Sequence, residues 1–456
     1  MIGAVIIKHK LCLSDEETIE QIRENAYLQY FVGLSEFQKE AVFAPSLFVD
    51  IRRRMGEETF LEFQQAIVDA AKKQKAKAKK NGKDDDGDDE SGGNKEERQE
   101  EEEKPVRQGK LILDATVAEQ AIRYPTDLDL LNEGREITEK IIDDLYKKSD
   151  WKKKPRDHRR KARKAYLAVA KRRRAGGKVL RKGIKQQLQY LRRNLAYIEK
   201  LLDSIHGRRI PLSHSLLRKY WIIRHLYRQQ EEMYRTKTRR CDDRIVSIHQ
   251  PHVRPIVRGK QHRTAEFGAK LSVSLTKDGI ASVDRIGWDA FHEGGDLVEQ
   301  VEEYRKRYGY YPEAVLGDPA YGTRKNRKAL KDKGIRFAGK PLGRPPKITN
   351  ENKEEIKKLK KQRRDEYRQR IPIEGKFGQG KNGYGLGYIR AKTARTSEAW
   401  VNSIFMVMNL MVLEKIFLLS QIIHAIWHQI VAKIAFKTEN GQNTFSVSRS
   451  RLQWQI

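Results

Sequence analysis

Four residues near the C-terminal third of the chain have the types and spacing for phosphoryl chemistry: Tyr367, Arg370, Glu374 and Lys381. On an ideal helix each residue turns by about 100°, so offsets of three, seven and fourteen bring the four side chains within roughly a 60° sector. A carboxylate flanked by two cations and a phenol suits a metal ion lying against a phosphodiester. The carboxylate can bind the metal, while the cations and the hydroxyl hold phosphate oxygens. Pro372 and the glycines 375, 378 and 380 oppose an unbroken helix here. A kink or a fresh helix start after Arg370 is therefore expected, with Pro372 in a first turn.

Two more carboxylates stand where strands are expected. The run K-L-I-L-D-A-T-V places Asp114 at the end of the buried half of a strand, and E-A-V-L-G-D-P-A-Y-G ends a buried strand at Asp318. A buried carboxylate needs a partner, and a metal ion is one. Taken singly, each Asp reads more readily as a cap or turn former than as a metal ligand, and Arg370 with Glu374 reads as a plain ion pair one turn apart. The joint pattern of Asp114, Asp318 and Glu374 is what points to a site. Such hard oxygen donors select Mg²⁺ or Mn²⁺, and two such ions can drive in-line phosphoryl displacement.

The elements that must bring these residues together follow in order. Residues 1–75 read as an N-terminal helical domain, with Ser14 and Glu17 forming a capping box and a second helix near residues 44–71. Residues 76–106 read as a solvated linker, because Asp84 to Glu103 holds twelve acidic and two basic residues and no aromatic. Residues 133–240 read as a helical insertion. It opens on a run from Trp151 to Lys185 with seventeen Lys/Arg and one acidic residue, Asp157. An a/d seam of Ile184, Leu188, Leu191, Leu195, Ile198, Leu202 and Ile205 then predicts an antiparallel hairpin with a second apolar stripe from Leu216 to Tyr227. Seventeen like charges repel unless an anion lies nearby, so DNA backbone contact is expected of the basic run.

Strands return after Arg240, with a hairpin turning at Asp278-Gly279. The order strand, hairpin, helix, strand, helix, strand, helix gives an α/β fold: a ribonuclease H-like mixed sheet flanked by helices, spanning 107–132 and 241–435. Residues 436–456 read as a tail. Trp288 reads as a core or sheet-edge aromatic, His292-Glu293 as a loop, and Gly259-Lys260 lacks the frame of a phosphate-binding P-loop.

The net charge of +32 and pI near 9.9 favour a nucleic-acid partner through counterion release. Cys12 and Cys241 lack partner spacing, so neither a disulfide framework nor a zinc site is expected. The apolar N-terminal run is too short for a signal sequence, and the apolar region near 403–434 is interrupted by polar residues, so it reads as a packed helix rather than a membrane span.

The spacing Y-x2-R-x3-E-x6-K resembles the signature of DDE transposases of bacterial insertion sequences, of insertion sequence families four and five. So do G-D-P-A-Y-G around Asp318, L-D-A-T around Asp114, the block from Ile256 to Leu271, and the N-terminal stretch L-S-D-E-E-T-I-E-Q-I-R-E-N-A-Y-L-Q-Y-F-V-G-L. The resemblance implies strand cleavage and transfer at element ends by a homodimer on double-stranded DNA in the cytoplasm, associated with the nucleoid, with no membrane role. It implies that Asp318 bridges two metal ions, that Asp114 and Glu374 each complete one side, and that Tyr367, Arg370 and Lys381 hold phosphates of the end strand. It also implies an N-terminally shortened member, because Met1 falls where the family already has preceding residues. A DNA-binding remnant without catalysis and a ribonuclease H-like nuclease acting on other nucleic acids stay open as rival readings.

Overall fold

The computed structural model describes residues 2–80, 107–205, 210–257, 265–344, 349 and 352–439, with the backbone alone at 78–80 and 419–439. Most of the acidic segment, Gly207, Gly259-Lys260, part of the G-R-P-P loop and the last seventeen residues lie outside that range.

The chain opens on five helices: α1 (Ile2–Lys10), α2 (Asp15–Glu24), α3 (Ala26–Phe31), α4 (Ser46–Arg54) and α5 (Glu57–Lys80). The expected capping box is present: Ser14 Oγ accepts from the Glu17 N–H, and Glu17 accepts from the Ser14 N–H. The single helix expected near 44–71 is two helices, divided at Met55-Gly56. The second of them carries straight on through the lysine-rich start of the expected linker, because Ala, Lys and Gln are good helix formers.

Strand β1 (Lys110–Glu119) follows, then the helical block α6 (Asp127–Tyr146), α7 (Arg159–Ala170), α8 (Gly177–Ser204) and α9 (His214–Thr236). The block begins at Asp127, earlier than expected, because Thr126 caps α6 by accepting from the Asp129 N–H. The hairpin of α8 and α9 is antiparallel: Arg181 reaches the Tyr234 carbonyl at one end, and Arg224 pairs with Glu199 nearer the other. The seam alone did not reveal that α6 forms the third wall. Gly134 of α6 sits against Leu191 and Ile223, and Asn194 of α8 donates to Thr138 Oγ1 at 3.1 Å. This extra wall shifts the end of the seam, burying Leu201 completely and leaving Leu202 half-buried.

The remaining elements are β2 (Arg254–Val257), β3 (Ala265–Thr276), β4 (Ala281–Gly287), α10 (Leu297–Tyr308), β5 (Ala314–Leu316), α11 (Arg324–Asp332), β6 (Arg336–Ala338), α12 (Lys353–Gly383) and α13 (Ala394–Glu439). The sheet runs β2-β3-β1-β5-β6, and β4 continues along the β3 edge that β2 begins. Strands β1, β3 and β4 are antiparallel neighbours, whereas β1, β5 and β6 are parallel. The two parallel steps are crossovers, with α10 before β5 and α11 before β6.

Both sheet faces are covered, so β1 reads as a nearly continuous apolar run. Leu111 and Leu113 pack with Leu297, Val301 and Leu330 of α10 and α11 on one face. Ile112 and Ala118 share the other face with Val273, Ile373, Phe377 and Ile404, beneath α12 and α13. Sheet packing is close enough that a Cβ on Gly268 would lie 1.9 Å from the Ala118 carbonyl oxygen, so only glycine fits there. The stretch Ala394–Leu418 is long and apolar enough to cross a membrane by length and composition. It packs instead against β4 and the N-terminal helices, with Asn409 exchanging two hydrogen bonds with the Ala281 backbone.

Candidate active site

The strand register explains how two distant aspartates meet. Ile112 of β1 pairs with Leu316 of β5, and this is the last paired position between these parallel strands. Asp114 and Asp318 each lie two residues beyond it, at the carboxyl edge of β5, where ligands of parallel sheets bind. Asp114 does not close the buried half of its strand, as expected, but sits at the midpoint of a ten-residue strand buried on both sides of it, because β3 supports β1 as far as Glu119. Asp318 follows β5 rather than ending it, and its carboxylate caps a short helical turn by accepting from the Ala320 N–H at 3.1 Å.

Alternation along β1 sends Asp114 to the face of Ile112 and Ala118, beneath α12. That helix brings the other half of the site. Contrary to the expected kink or restart, α12 is continuous through Pro372, so the one-face geometry extends back to Tyr367 and Arg370. Tertiary packing of Ile373 and Phe377 into the core outweighs the missing N–H of the proline. The Arg370 guanidinium bridges two carboxylates, reaching Asp114 Oδ2 at 3.3 Å and Glu374 Oε1 at 2.6 Å. It also lies 5.5 Å from the centre of the Tyr367 ring. Tyr367 is 61% exposed and its ring is available at the surface. Lys381 is two turns beyond Glu374, about 10.5 Å along the axis, half-buried with its stem beside Gly387.

Burial pushes the Asp114 carboxyl up from its ordinary range. The Ala115 N–H and Arg370 oppose this, while the carboxylates of Glu293 and Asp318 add to it. For Arg370, desolvation works against the charge but is outweighed by Asp114 and Glu374, which hold the guanidinium protonated more firmly than usual. Glu293 is the functional candidate that sequence reasoning passed over. It opens a helical turn rather than a plain loop, pairs with Lys270 of β3 at 2.9 Å, and adds a fourth negative charge near Asp114. The buried Asn326 side chain ties this turn to the Asp318 turn, donating to the Gly294 carbonyl at 2.6 Å and the Tyr321 carbonyl at 2.9 Å. The only sequence signal was the position of Glu293 between a hairpin and a helix, which is weak without coordinates. Trp288 is the sheet-edge aromatic expected of it: its Nε1 donates to Glu398 at 2.8 Å and its ring meets His252 edge-on.

Among the described residues no three His, Cys, Asp or Glu side chains lie within one ion's reach as they stand, since Arg370 bridges Asp114 and Glu374. The donor set still fits a hard cation. It consists of carboxylate oxygens, and the largest unfavourable contributions at Asp114 are burial and like charge, both of which a divalent ion relieves.

Residues 315–411 match a family described as the transposase DDE domain, and residues 1–54 match a family described as a transposase domain. The first match takes in Asp318, all of α12 and the buried start of α13; the second takes in α1 to α4. A protein of Rhizobium meliloti, an uncharacterised reading frame in the nfe locus, is 32% identical over 127 residues. That alignment covers 28% of this chain and 49% of the relative, so the chain spans about half the length of the curated relative it matches. No solved structure matches the chain. Asp318 and the Y-R-E-K residues lie inside one transposase match and the N-terminal helices inside another, and together these matches indicate a DDE transposase of an insertion sequence.

Proposed function

We propose that this protein is a transposase that cleaves DNA at the ends of its insertion sequence and joins the freed 3′ ends to a target by metal-assisted phosphoryl transfer. The observation that carries this reading is the shared register of Asp114 and Asp318 at the edge of adjacent parallel strands, with Glu374 joined to Asp114 through Arg370. The strand order β4-β3-β1-β5-β6, antiparallel then parallel, supports reading the sheet as ribonuclease H-like.

In this reading Asp114, Asp318 and Glu374 would hold two Mg²⁺ or Mn²⁺ ions. When bound, such ions activate a water or a 3′-hydroxyl and stabilise the leaving oxygen. The chain's own residues do the positioning. Arg370 grips phosphate oxygens bidentately, Lys381 acts as a point charge farther along the strand, and the exposed Tyr367 hydroxyl donates to the backbone. Arg370 exchanges its bonds with Asp114 and Glu374 for bonds to phosphate as substrate and cations enter. The helices α1 to α5 bind the element ends, and a homodimer holds two ends together in the cytoplasm, on the nucleoid.

The test uses the full chain with duplex DNA bearing the inverted ends of its element. Nicking is expected with Mg²⁺ or Mn²⁺ and not with EDTA. Asp318→Ala should abolish nicking and leave DNA binding intact. Retained nicking in that variant would remove Asp318 from the active site. Equal cleavage of random duplex or RNA–DNA hybrids would favour a general nuclease instead.

A further inference from the structure

The helical block between β1 and β2 plays no part in the carboxylate site, yet it holds the densest positive charge in the described chain. Its cations divide into two groups. Lys154 and Arg159 are used internally, both pairing with Asp143 at 2.5 Å, and Arg159 also binds Asp157 and the Glu139 carbonyl. Arg181 caps the end of α9 at the Tyr234 carbonyl. These contacts, with Tyr166 donating to Asp129 at 2.6 Å and Gln187 donating to the Ala162 carbonyl at 3.1 Å, fix α7 rigidly on α6 and α8. A Cβ on Gly183 would meet Val169 at 3.0 Å, so glycine is what lets α7 and α8 approach so closely.

The second group points the other way. Lys161 and Lys164 lie on one face of α7, Arg172 follows just past its C-terminal cap, and Lys182 faces them from α8. Together with Ala165 and Ala168 they line a cleft of about 470 Å³. All four cations are exposed, and none pairs with a carboxylate among the described residues. Val169, Val179, Gly183 and Gln186 complete the lining, and the short side chains between the cations let an anionic backbone come close. Neither helix offers an exposed aromatic on this face for stacking an unpaired base, nor a bulky apolar residue for entering a lipid surface. Cations on a rigid floor without base-reading groups suit a phosphate backbone taken without regard to sequence.

We infer that the cleft between α7 and α8 is a second DNA-binding surface, separate from the carboxylate site, which grips the phosphate backbone of duplex DNA. The choice of duplex DNA as the source of phosphates rests on the proposed transposase function; the cleft itself does not. Its role is to hold DNA that the catalytic site then acts on.

The test is the triple variant Lys161→Gln/Lys164→Gln/Lys182→Gln in the full chain, with Lys140→Gln/Lys147→Gln/Lys200→Gln as a control that removes the same charge elsewhere on the block. Binding to random-sequence duplex is followed by fluorescence anisotropy across a salt series. Each lost phosphate contact flattens the plot of log K against log salt by about 0.9. The cleft variant should therefore lose about 2–3 from the slope and weaken on element ends and random duplex alike. The control should keep most of its slope, and thermal melts of both variants should match the parent. An unchanged slope, or an equal loss in the control, overturns the inference. So does a loss of binding confined to duplex RNA or anionic phosphatidylserine vesicles. If the parent shows no metal-dependent nicking but the cleft variant still loses its slope, the transposase reading fails and the DNA surface stands. Nicking with an unchanged slope gives the reverse.

Discussion

Asp114 carries the sharpest electrostatic consequence at the scale of single residues. Its pKa is raised above the unfolded value of 3.8, first by burial and then by neighbouring carboxylates. Between those two values the folded state binds more protons than the unfolded one, so stability falls as pH rises through that window. Above the folded value the penalty is fully present. Asp114→Asn should therefore raise the melting temperature at neutral pH, and the gain should vanish near pH 3 to 4. Mg²⁺ should stabilise the parent, since a ligand of the folded state adds RT ln(1 + [L]/Kd), and should do so much less in the variant. Thermal melts at two pH values, with and without Mg²⁺, read both effects. A destabilised Asp114→Asn at neutral pH would mean that the Arg370 contact outweighs the burial penalty.

The decisive feature among the elements is that α12 passes through Pro372 without ending. The proline removes one backbone hydrogen bond and crowds the preceding turn, at a cost of about 3 kcal/mol in an ordinary helix interior. Here the turn that follows is held by Ile373, fully buried, and Phe377. Pro372→Ala should stabilise the protein by about 1–3 kcal/mol in urea titrations. It should also lower nicking if the proline sets the angle between Arg370 and Glu374, so stability and activity would move in opposite directions. Unchanged stability would show that the backbone at Pro372 is already shaped to the ring.

For the whole molecule, the question is what keeps the N-terminal helices docked on the sheet domain. A buried ionic cluster sits at that junction. Asp15 pairs with Lys8 at 2.8 Å and with Arg52 at 2.6 Å, and both cations lie over the Trp400 ring of α13. One anion serves two cations. Burial works against the Asp15 charge but the two cations win, so its pKa falls, whereas burial lowers that of Lys8. The Asp15 contribution is complete above pH 3.8 and is lost as pH falls through its lower folded value. Asp15→Asn leaves two buried cations uncompensated and should cost about 3–5 kcal/mol. Limited proteolysis should then release the segment before α5 faster than in the parent. An unchanged cleavage rate would assign the docking to apolar contacts such as Phe48 and Ile51 alone.

The sequence by itself determined the residue types of the candidate site, the helical nature of the N-terminal segment, and the alternation of strands and helices around Asp114 and Asp318. These depend on local spacing, capping and composition, which act within a few residues. The Tyr367 to Lys381 spacing was legible for the same reason. Only tertiary structure decided the rest. The register of β1 on β5 set Asp114 beside Asp318, and strand alternation turned Asp114 toward α12; a slip of one residue would have sent it to the opposite face. Helix α12 stayed whole because core packing outweighed a local proline penalty, and α6 joined the α8–α9 pair because its apolar face met theirs. Glu293 entered the site through a turn pinned by Asn326, a contact across 32 residues in sequence. Long-range packing energies of this kind have no signature in local periodicity, which is why the candidate residues were legible in the chain and their assembly was not.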